Sequence, residues 1–170
     1  ILTANKRSAF PLILREFEES GYDVQYEILN SAGYGVPQKR ERVIIVGFRK
    51  DLKIKFSFPK AEIEDETKYI PLKSVIEKRV DEKYFFSEKA VAGMMKKRES
   101  MNKGRAQDIN KPCNTVGAHL AKVSLNSTDP VLMEGGRYRR FTPREVARIQ
   151  SFPDDFELVG SESAQYRALG

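Results

Sequence analysis

The chain has 170 residues, of which 40% are hydrophobic and 32% charged, enough for one domain or two small lobes sharing a core and unlike a disordered chain. Its longest apolar run, Val43 to Phe48, is strand-sized and far short of the roughly 18 residues that cross a bilayer. One cysteine and one histidine exclude an intramolecular disulfide and a metal site built on those residues, while a net charge of +6 permits a nucleic-acid partner without requiring one.

In chain order, Phe10, Ile13, Leu14 and Phe17 recur at helical spacing, with Ser8 as cap, Pro11 in the first turn and Gly21 as stop. Tyr22 to Leu29 alternates apolar and polar residues and predicts a half-buried strand. A Gly-rich bend from Ser31 to Pro37 leads to Gln38-Lys39-Arg40-Glu41-Arg42, and Val43 to Phe48 then predicts a buried central strand, antiparallel to the first. The layout is α/β. From Lys50 to Val80 the pattern weakens around the acidic residues Glu62, Glu64, Asp65 and Glu66, with a short helix expected between Ile70 and Val80. Ser87 to Met101 is expected to be helical, with Ala90, Met94 and Met95 on its apolar side. Residues Lys89 to Arg105 carry six basic groups against one acid. A polar loop is expected over Asn102 to Asn110, and one or two short strands over Val116 to Leu125. Thr142-Pro143-Arg144-Glu145 is a capping box with proline at the first helical position; Val146 and Ile149 continue the apolar face, and Pro153 is expected to end that helix.

Two constellations suggest chemistry. Arg40 and Arg42 stand two residues apart at a loop-to-strand junction, which on a continuous strand places them on one face. They either grip a phosphate or a base carbonyl or form a solvated charge run guarding a strand end. Residues 136 to 148 hold five arginines against one glutamate. There the alternatives are phosphate contact at a helix N-terminus and pairing with Asp154, Asp155 and Glu157.

Taken together and in order, these stretches carry a resemblance. Ala32 to Gly47, around Gln38-Lys39-Arg40-Glu41-Arg42, resembles the Gln-x-Arg-x-Arg motif of DNA cytosine-5 methyltransferases, the eighth of that family's ten blocks. Arg139 to Phe156 is similar to the ninth block over its whole length. Gln165 to Gly170 resembles the approach to the tenth, and the helix and strand before Ala32 match the segment after the sixth. The resemblance covers both ends of the chain and leaves about 50 to 135 as the variable region.

The resemblance implies a C-terminal part of a doubly wound, S-adenosylmethionine-dependent methyltransferase sheet plus a small irregular target-recognition lobe. Its expected bounds are 1–50 for the edge of the catalytic domain, 51–135 for target recognition and 136–170 for a helical return, with a cleft lined by Arg40, Arg42 and the recognition loops. Family members flip a cytosine out of duplex DNA, attack C6 with a cysteine thiolate, engage N3 with a glutamate and methylate C5. By carry-over, Arg42 meets the cytosine O2 and Arg40 organises the pocket and meets the backbone, both as catalytic candidates. Gln38, Arg40, Arg42, Thr115, Val116, Arg139, Arg140 and Arg144 are the DNA-binding candidates, and Gly170 marks the edge of the cofactor-binding tenth block. Pro112-Cys113-Asn114-Thr115-Val116 resembles the Thr-plus-aliphatic element near the end of the recognition region. The basic run Lys96 to Arg105 is either a phosphate contact or a solvated face.

Departures matter as much. Pro112-Cys113-Asn114 looks like the family's Pro-Cys-Gln nucleophile but lies after the eighth block, so Cys113 is not expected to be catalytic. His119 is expected to be structural or an incidental DNA contact. The sequence holds no Gly-rich cofactor loop, no Pro-Cys-Gln and no Glu-Asn-Val, so this chain alone is expected to bind no cofactor and to be inactive. Neither Ile1 to Lys6 nor Gln165 to Gly170 has the character of a natural terminus, and the sequence reads as a piece of something longer, either a fragment or a subunit of a split enzyme. Expected partners are double-stranded DNA and the N-terminal half of the enzyme or a complementary subunit, in a bacterial cytoplasm or a nucleus, with no membrane and no metal. The rival reading is a non-catalytic methyltransferase-like DNA-binding or regulatory module. An RNA-binding protein is a third, without the aromatic arrangement that stacks bases.

Overall fold

A computed structural model describes residues 8–96, 106–122 and 129–170. The chain divides into two compact units, Ile1–Asn30 with Glu41–Ala61, and Ser31–Arg40 with Glu62–Gly170. Helices and strands are mixed in both, and the described strands form three two-stranded sheets.

In the first unit, helix α1 (Ala9–Glu19) packs on a ribbon of two antiparallel strands, β1 (Tyr22–Asn30) and β3 (Glu41–Arg49). Ser8 occupies the N-cap position without a side-chain capping bond. Its backbone is already right-handed (φ −86°, ψ −22°), whereas a capping hydroxyl works from an extended N-cap. At the other end Gly21 turns the chain at φ +88°, the left-handed conformation glycine adopts without a Cβ clash. Its carbonyl then accepts the Lys50 N–H at 3.0 Å, tying the helix exit to the end of β3. Phe10 meets Tyr26 edge-on at 4.7 Å and Phe17 meets Tyr22 at 6.2 Å.

The expected antiparallel pairing is present, with Tyr26 opposite Ile45 and Leu29 opposite Arg42. The expected burial of the second strand is not. No residue from Val43 to Phe48 is fully buried, and Ile44 keeps 40% of its surface. A two-stranded ribbon with one helix upon it can cover only one face, so an apolar run that suits a strand buried on both faces stays partly open.

The second unit holds the well-packed core. Leu72, Cys113, Val116, Leu120, Leu132, Phe141, Val146, Ile149 and Tyr166 are buried together. β5 (Leu132–Glu134) and β6 (Arg137–Arg139) form a hairpin, turned by Gly135 and Gly136 at φ +56° and +79°, the pattern of a type I′ turn. Helix α3 (Pro143–Ile149) starts at the capping box read from sequence, with both reciprocal bonds made and Pro143 in the first turn. It ends four residues before Pro153, because Ser151 takes a left-handed φ of +64° and the Phe152 N–H returns to the Ala147 carbonyl at 2.9 Å. Helix α4 (Glu162–Leu169), capped by Ser161, closes the described chain.

Three local expectations are corrected. Between Ile70 and Val80 the described helix is a single 3₁₀ turn, Leu72–Ser74. Helix α2 runs over Glu88–Lys96, while the rest of the expected helix and most of the basic run to Arg105 lie outside the described residues. No strand comes after Val116 in the expected stretch within the described residues: Leu120–Lys122 is another 3₁₀ turn. The pairing instead falls earlier, where β4 (Cys113–Asn114) runs parallel to β2 (Gln38–Lys39).

Candidate nucleic-acid interface

The second unit is organised around Gln38. This side chain is 1% exposed, and both ends of its carboxamide are used. Its Nε2 donates to Gln150 Oε1 at 2.9 Å, and its Oε1 accepts the Val116 N–H at 2.9 Å. Gln150 in turn donates to the Leu169 carbonyl at 2.7 Å. One chain of amides therefore links the glutamine of the first motif, the Thr115-Val116 loop, the end of α3 and the end of α4. Around it Ser31 Oγ donates to the Gln38 carbonyl at 2.6 Å, Cys113 N–H to the Pro37 carbonyl at 2.9 Å, and Thr115 Oγ1 to the Lys39 carbonyl at 3.0 Å. A buried amide with both groups paired is stabilising; with either partner removed it becomes a desolvated orphan.

Gly170 is held by the same packing. A Cβ there would lie 2.2 Å from the Ala118 nitrogen, so the chain and the Gly117-Ala118 backbone approach more closely than any side chain permits.

The same unit holds a buried ion pair. Arg139 is fully buried, and its guanidinium donates to both carboxylate oxygens of buried Glu145 at 2.8 Å each, to Glu134 at 2.5 Å and to the Arg140 carbonyl at 3.2 Å. Glu145 also accepts the Thr142 and Glu77 N–H groups, at 2.9 and 3.0 Å. These hydrogen bonds and the negative charges of Glu145 and Glu134 offset the cost of burying a guanidinium and hold its pKa above the usual arginine value.

Three residues expected at the DNA lie inside the unit. Gln38, Val116 and Arg139 are buried, each engaged in hydrogen bonds inside the unit. Charge counting placed Arg139 outside; it did not register that Glu145, the capping-box acid, is itself buried six residues on.

Arg140 is half-buried over the Tyr84 ring at 5.4 Å and donates to the Ala121 carbonyl at 3.3 Å. Its neighbours form a small polar cluster in which Tyr84 donates to Glu162 and Lys83 pairs with Glu162 at 2.7 Å. Burial first, and the Glu162 carboxylate second, push the Tyr84 hydroxyl up to about 12. Arg144 is half-buried and donates to the Phe156 carbonyl at 2.9 Å. Of the acids expected to pair with this arginine cluster, Asp154 takes Arg148 at 2.6 Å.

Thr115, Lys39, Asn114 and Lys111, on and beside β2 and β4, are exposed. Arg40, half-buried, is the last residue of the second unit's first segment; its carbonyl accepts the Ser31 N–H at 3.2 Å. Arg42, on β3 of the first unit, is exposed and donates to the Glu41 carbonyl at 2.7 Å. The chain leaves one sheet and enters another at Arg40, so the alternation rule that put both arginines on one face does not apply across that break.

Cys113 is fully buried, and desolvation alone pushes its thiol up to about 12. A nucleophilic cysteine needs the opposite shift. His119 is exposed. Among the described residues no group of three or more His, Cys, Asp or Glu could hold a metal ion, and no helix is long and apolar enough to cross a membrane.

Sequence reasoning missed Gln150 and Glu145 as organising residues. Both lie inside the quoted ninth block, but a glutamine pair 112 residues apart leaves no local signal.

Known proteins share this architecture and sequence. The family model described as C-5 cytosine-specific DNA methylase matches residues 1–170. The type II methyltransferase M.NgoPII of Neisseria gonorrhoeae is 34% identical over 93% of this chain and 53% of its own length. M.BsuFI of Bacillus subtilis is 31% identical over 100% of this chain and 41% of its own. The chain thus spans about half the length of the curated relatives it matches. Among solved structures, the S. pombe Dnmt2 methyltransferase superimposes with a TM-score of 0.69 at 17% identity, covering 100% of this chain and 57% of that one. The Entamoeba histolytica methyltransferase EhMeth gives 0.67 at 17% identity, over 97% and 53%. At such identities the likeness is one of fold.

Proposed function

The chain belongs to the C-5 cytosine-specific DNA methylase family, and on that premise we propose that it is the DNA-reading half of a cytosine-5 DNA methyltransferase. Such an enzyme transfers a methyl group from S-adenosylmethionine to C5 of a cytosine flipped from a specific duplex sequence. The observation that carries the proposal is the meeting of three family-like stretches at one buried side chain: Gln38, the Val116 loop and Gln150. The recognition loop thereby hangs on the glutamine that opens the Gln-x-Arg-x-Arg motif.

In this reading residues 1–50 form the C-terminal edge of a doubly wound catalytic sheet, 51–135 the target-recognition region and 136–170 the helical return. Arg42 donates to the cytosine O2, where a fixed cation stabilises the negative charge that builds in the ring on attack. Arg40 meets the DNA backbone, and Thr115 stands on the DNA-facing loop. Gln38, Val116 and Arg139 pack the second unit, on which Arg40 and Thr115 stand, while Arg140 and Arg144 brace the return of the chain. The nucleophilic cysteine and the N3-binding glutamate come from the half of the family's length that this chain does not span, supplied by the same enzyme's N-terminal part or by a complementary subunit. Cys113 packs the core.

Among the described residues a site for S-adenosylmethionine has little to rest on. The single candidate, Gly170, lies against the Gly117-Ala118 backbone with no room for a Cβ. The bacterial type II relatives favour a restriction-modification setting and a cytoplasmic, nucleoid-associated location.

A second reading is a non-catalytic methyltransferase-like DNA-binding or regulatory module. The genomic reading frame separates the two: Pro-Cys-Gln and Glu-Asn-Val upstream or in an adjacent frame support the enzyme. The direct test is duplex binding followed across salt concentrations. Affinity for double-stranded DNA that falls steeply with salt is expected, and no duplex binding at low salt would overturn both readings.

A further inference from the structure

Beside β4 an open groove of about 680 Å³ is lined by Lys39, Tyr69, Gln107, Asn110, Lys111 and Asn114, among others. Its charges largely cancel. Lys39 pairs with Glu66 at 2.8 Å and Lys111 with Asp108 at 3.9 Å, which is not the net positive lining that a phosphate backbone selects. What remains is amide chemistry. The Gln107 carboxamide oxygen accepts the Asn114 backbone N–H at 2.9 Å, and the Asn110 oxygen accepts Lys73 Nζ at 3.1 Å. Both help hold the groove wall. The Asn114 side chain differs: it is exposed, and among the described residues its carboxamide has no hydrogen-bond partner.

Its backbone, by contrast, is tightly held. Asn114 lies on β4 opposite Lys39, its own N–H is taken by Gln107, and its neighbours Cys113 and Thr115 are bonded to Pro37 and Lys39. A carboxamide on so fixed a backbone moves only through its own side-chain torsions and presents a donor and an acceptor side by side.

We propose that Asn114 is a specificity-determining residue: its carboxamide reads the major-groove edge of an adenine flanking the target cytosine. The inference rests on the methyltransferase reading above. Adenine offers the N7 acceptor and N6 donor that a carboxamide matches in bidentate fashion, whereas guanine offers two acceptors and cytosine a lone donor. The neutralised charges around it suit base-edge contact over phosphate contact.

The test uses the full 170-residue chain with a pool of duplexes randomised around one fixed cytosine. Bound molecules are sequenced, and dissociation constants are measured for the selected duplex and its single-base variants. The wild type is expected to select adenine at one position by about tenfold over guanine. Asn114→Ala is expected to reduce that preference to about twofold or less, and Asn114→Asp to shift it towards cytosine, whose N4 donates to a carboxylate. An unchanged adenine preference in both variants, or an equal loss of affinity for every sequence, would overturn the base-reading role while leaving the methyltransferase reading in place. Failure of the wild type to bind any duplex would overturn that reading and the inference with it.

Discussion

Removing Arg139 separates an internal role for this residue from a DNA-contacting one. Arg139→Ala deletes a fully buried guanidinium that contacts Glu145 twice, Glu134 once and a backbone carbonyl once. The Glu134 contact counts for little, since that carboxylate is 43% exposed and such pairs contribute about 1 kcal/mol or less. The Glu145 carboxylate decides the magnitude. It would stay buried without its countercharge, a situation that typically costs about 3–5 kcal/mol. Two backbone donors, Thr142 and Glu77, would still satisfy it, so the lower end of that range applies, about 3 kcal/mol before lost packing is added. At that size the unfolding temperature should fall by about 10 °C. Arg139→Lys should recover part of the loss, because one ammonium cannot make the paired contact of a guanidinium. In a cycle with Glu145→Ala, the two single losses should exceed the double loss by about 2 kcal/mol or more. Thermal and urea unfolding give these numbers, with duplex binding measured below the unfolding temperature. A loss under about 0.5 kcal/mol, or weaker DNA binding at unchanged stability, would refute the buried-pair account and return Arg139 to the DNA surface.

Gln38→Leu keeps the side-chain volume but leaves the Val116 N–H and Gln150 Oε1 without their partner, for a loss of about 2–4 kcal/mol by urea unfolding; unchanged stability would show that the amide chain is not a structural link. For Cys113 the folded thiol sits at about 12, whereas an unfolded thiol ionises near 8.5. The folded state keeps its proton through that window, so this contribution to stability is present below the unfolded value and is lost as pH rises towards the folded one. Ultraviolet titration at about pH 9, just above the unfolded value, should accordingly show no thiolate in the native chain and a majority of thiolate in guanidinium; native thiolate there would contradict the core assignment. In an enzyme complete with its other half, Arg42→Ala should lower kcat by about tenfold or more while DNA affinity changes by about threefold at most; equal kcat with weaker binding would remove the cytosine-O2 role.

What was legible in the sequence was the chemistry that acts over a few residues. The Thr142-Glu145 capping box and the antiparallel partnership of the first two long strands come from local spacing, and both are present. Burial was harder to read. An apolar strand such as Val43 to Phe48 reports what would suit its faces, not what covers them here, and Ile44 is left 40% exposed. The basic appearance of residues 137 to 148 hid two opposite fates. Arg148 meets the nearby Asp154 anticipated from sequence, whereas Arg139 turns inward to the capping acid. The two-residue parallel pairing of β2 with β4 joins Gln38 to Cys113, and the Gln38–Gln150 bond spans 112 residues. Pairings so short and so distant leave no periodicity to find. They are also what makes Gln38, the Thr115-Val116 loop and the returning helices one packed unit.

The central claim is tested most directly by transfer of a tritiated methyl group from S-adenosylmethionine to cytosine-containing duplex DNA. The assay is run on this chain alone and then with the remaining half of a family-length enzyme added. The account predicts transfer only in the mixture. Transfer by the chain alone would contradict the assignment of Cys113 to the core, and silence in both would contradict the half-enzyme reading in favour of a non-catalytic DNA-binding module.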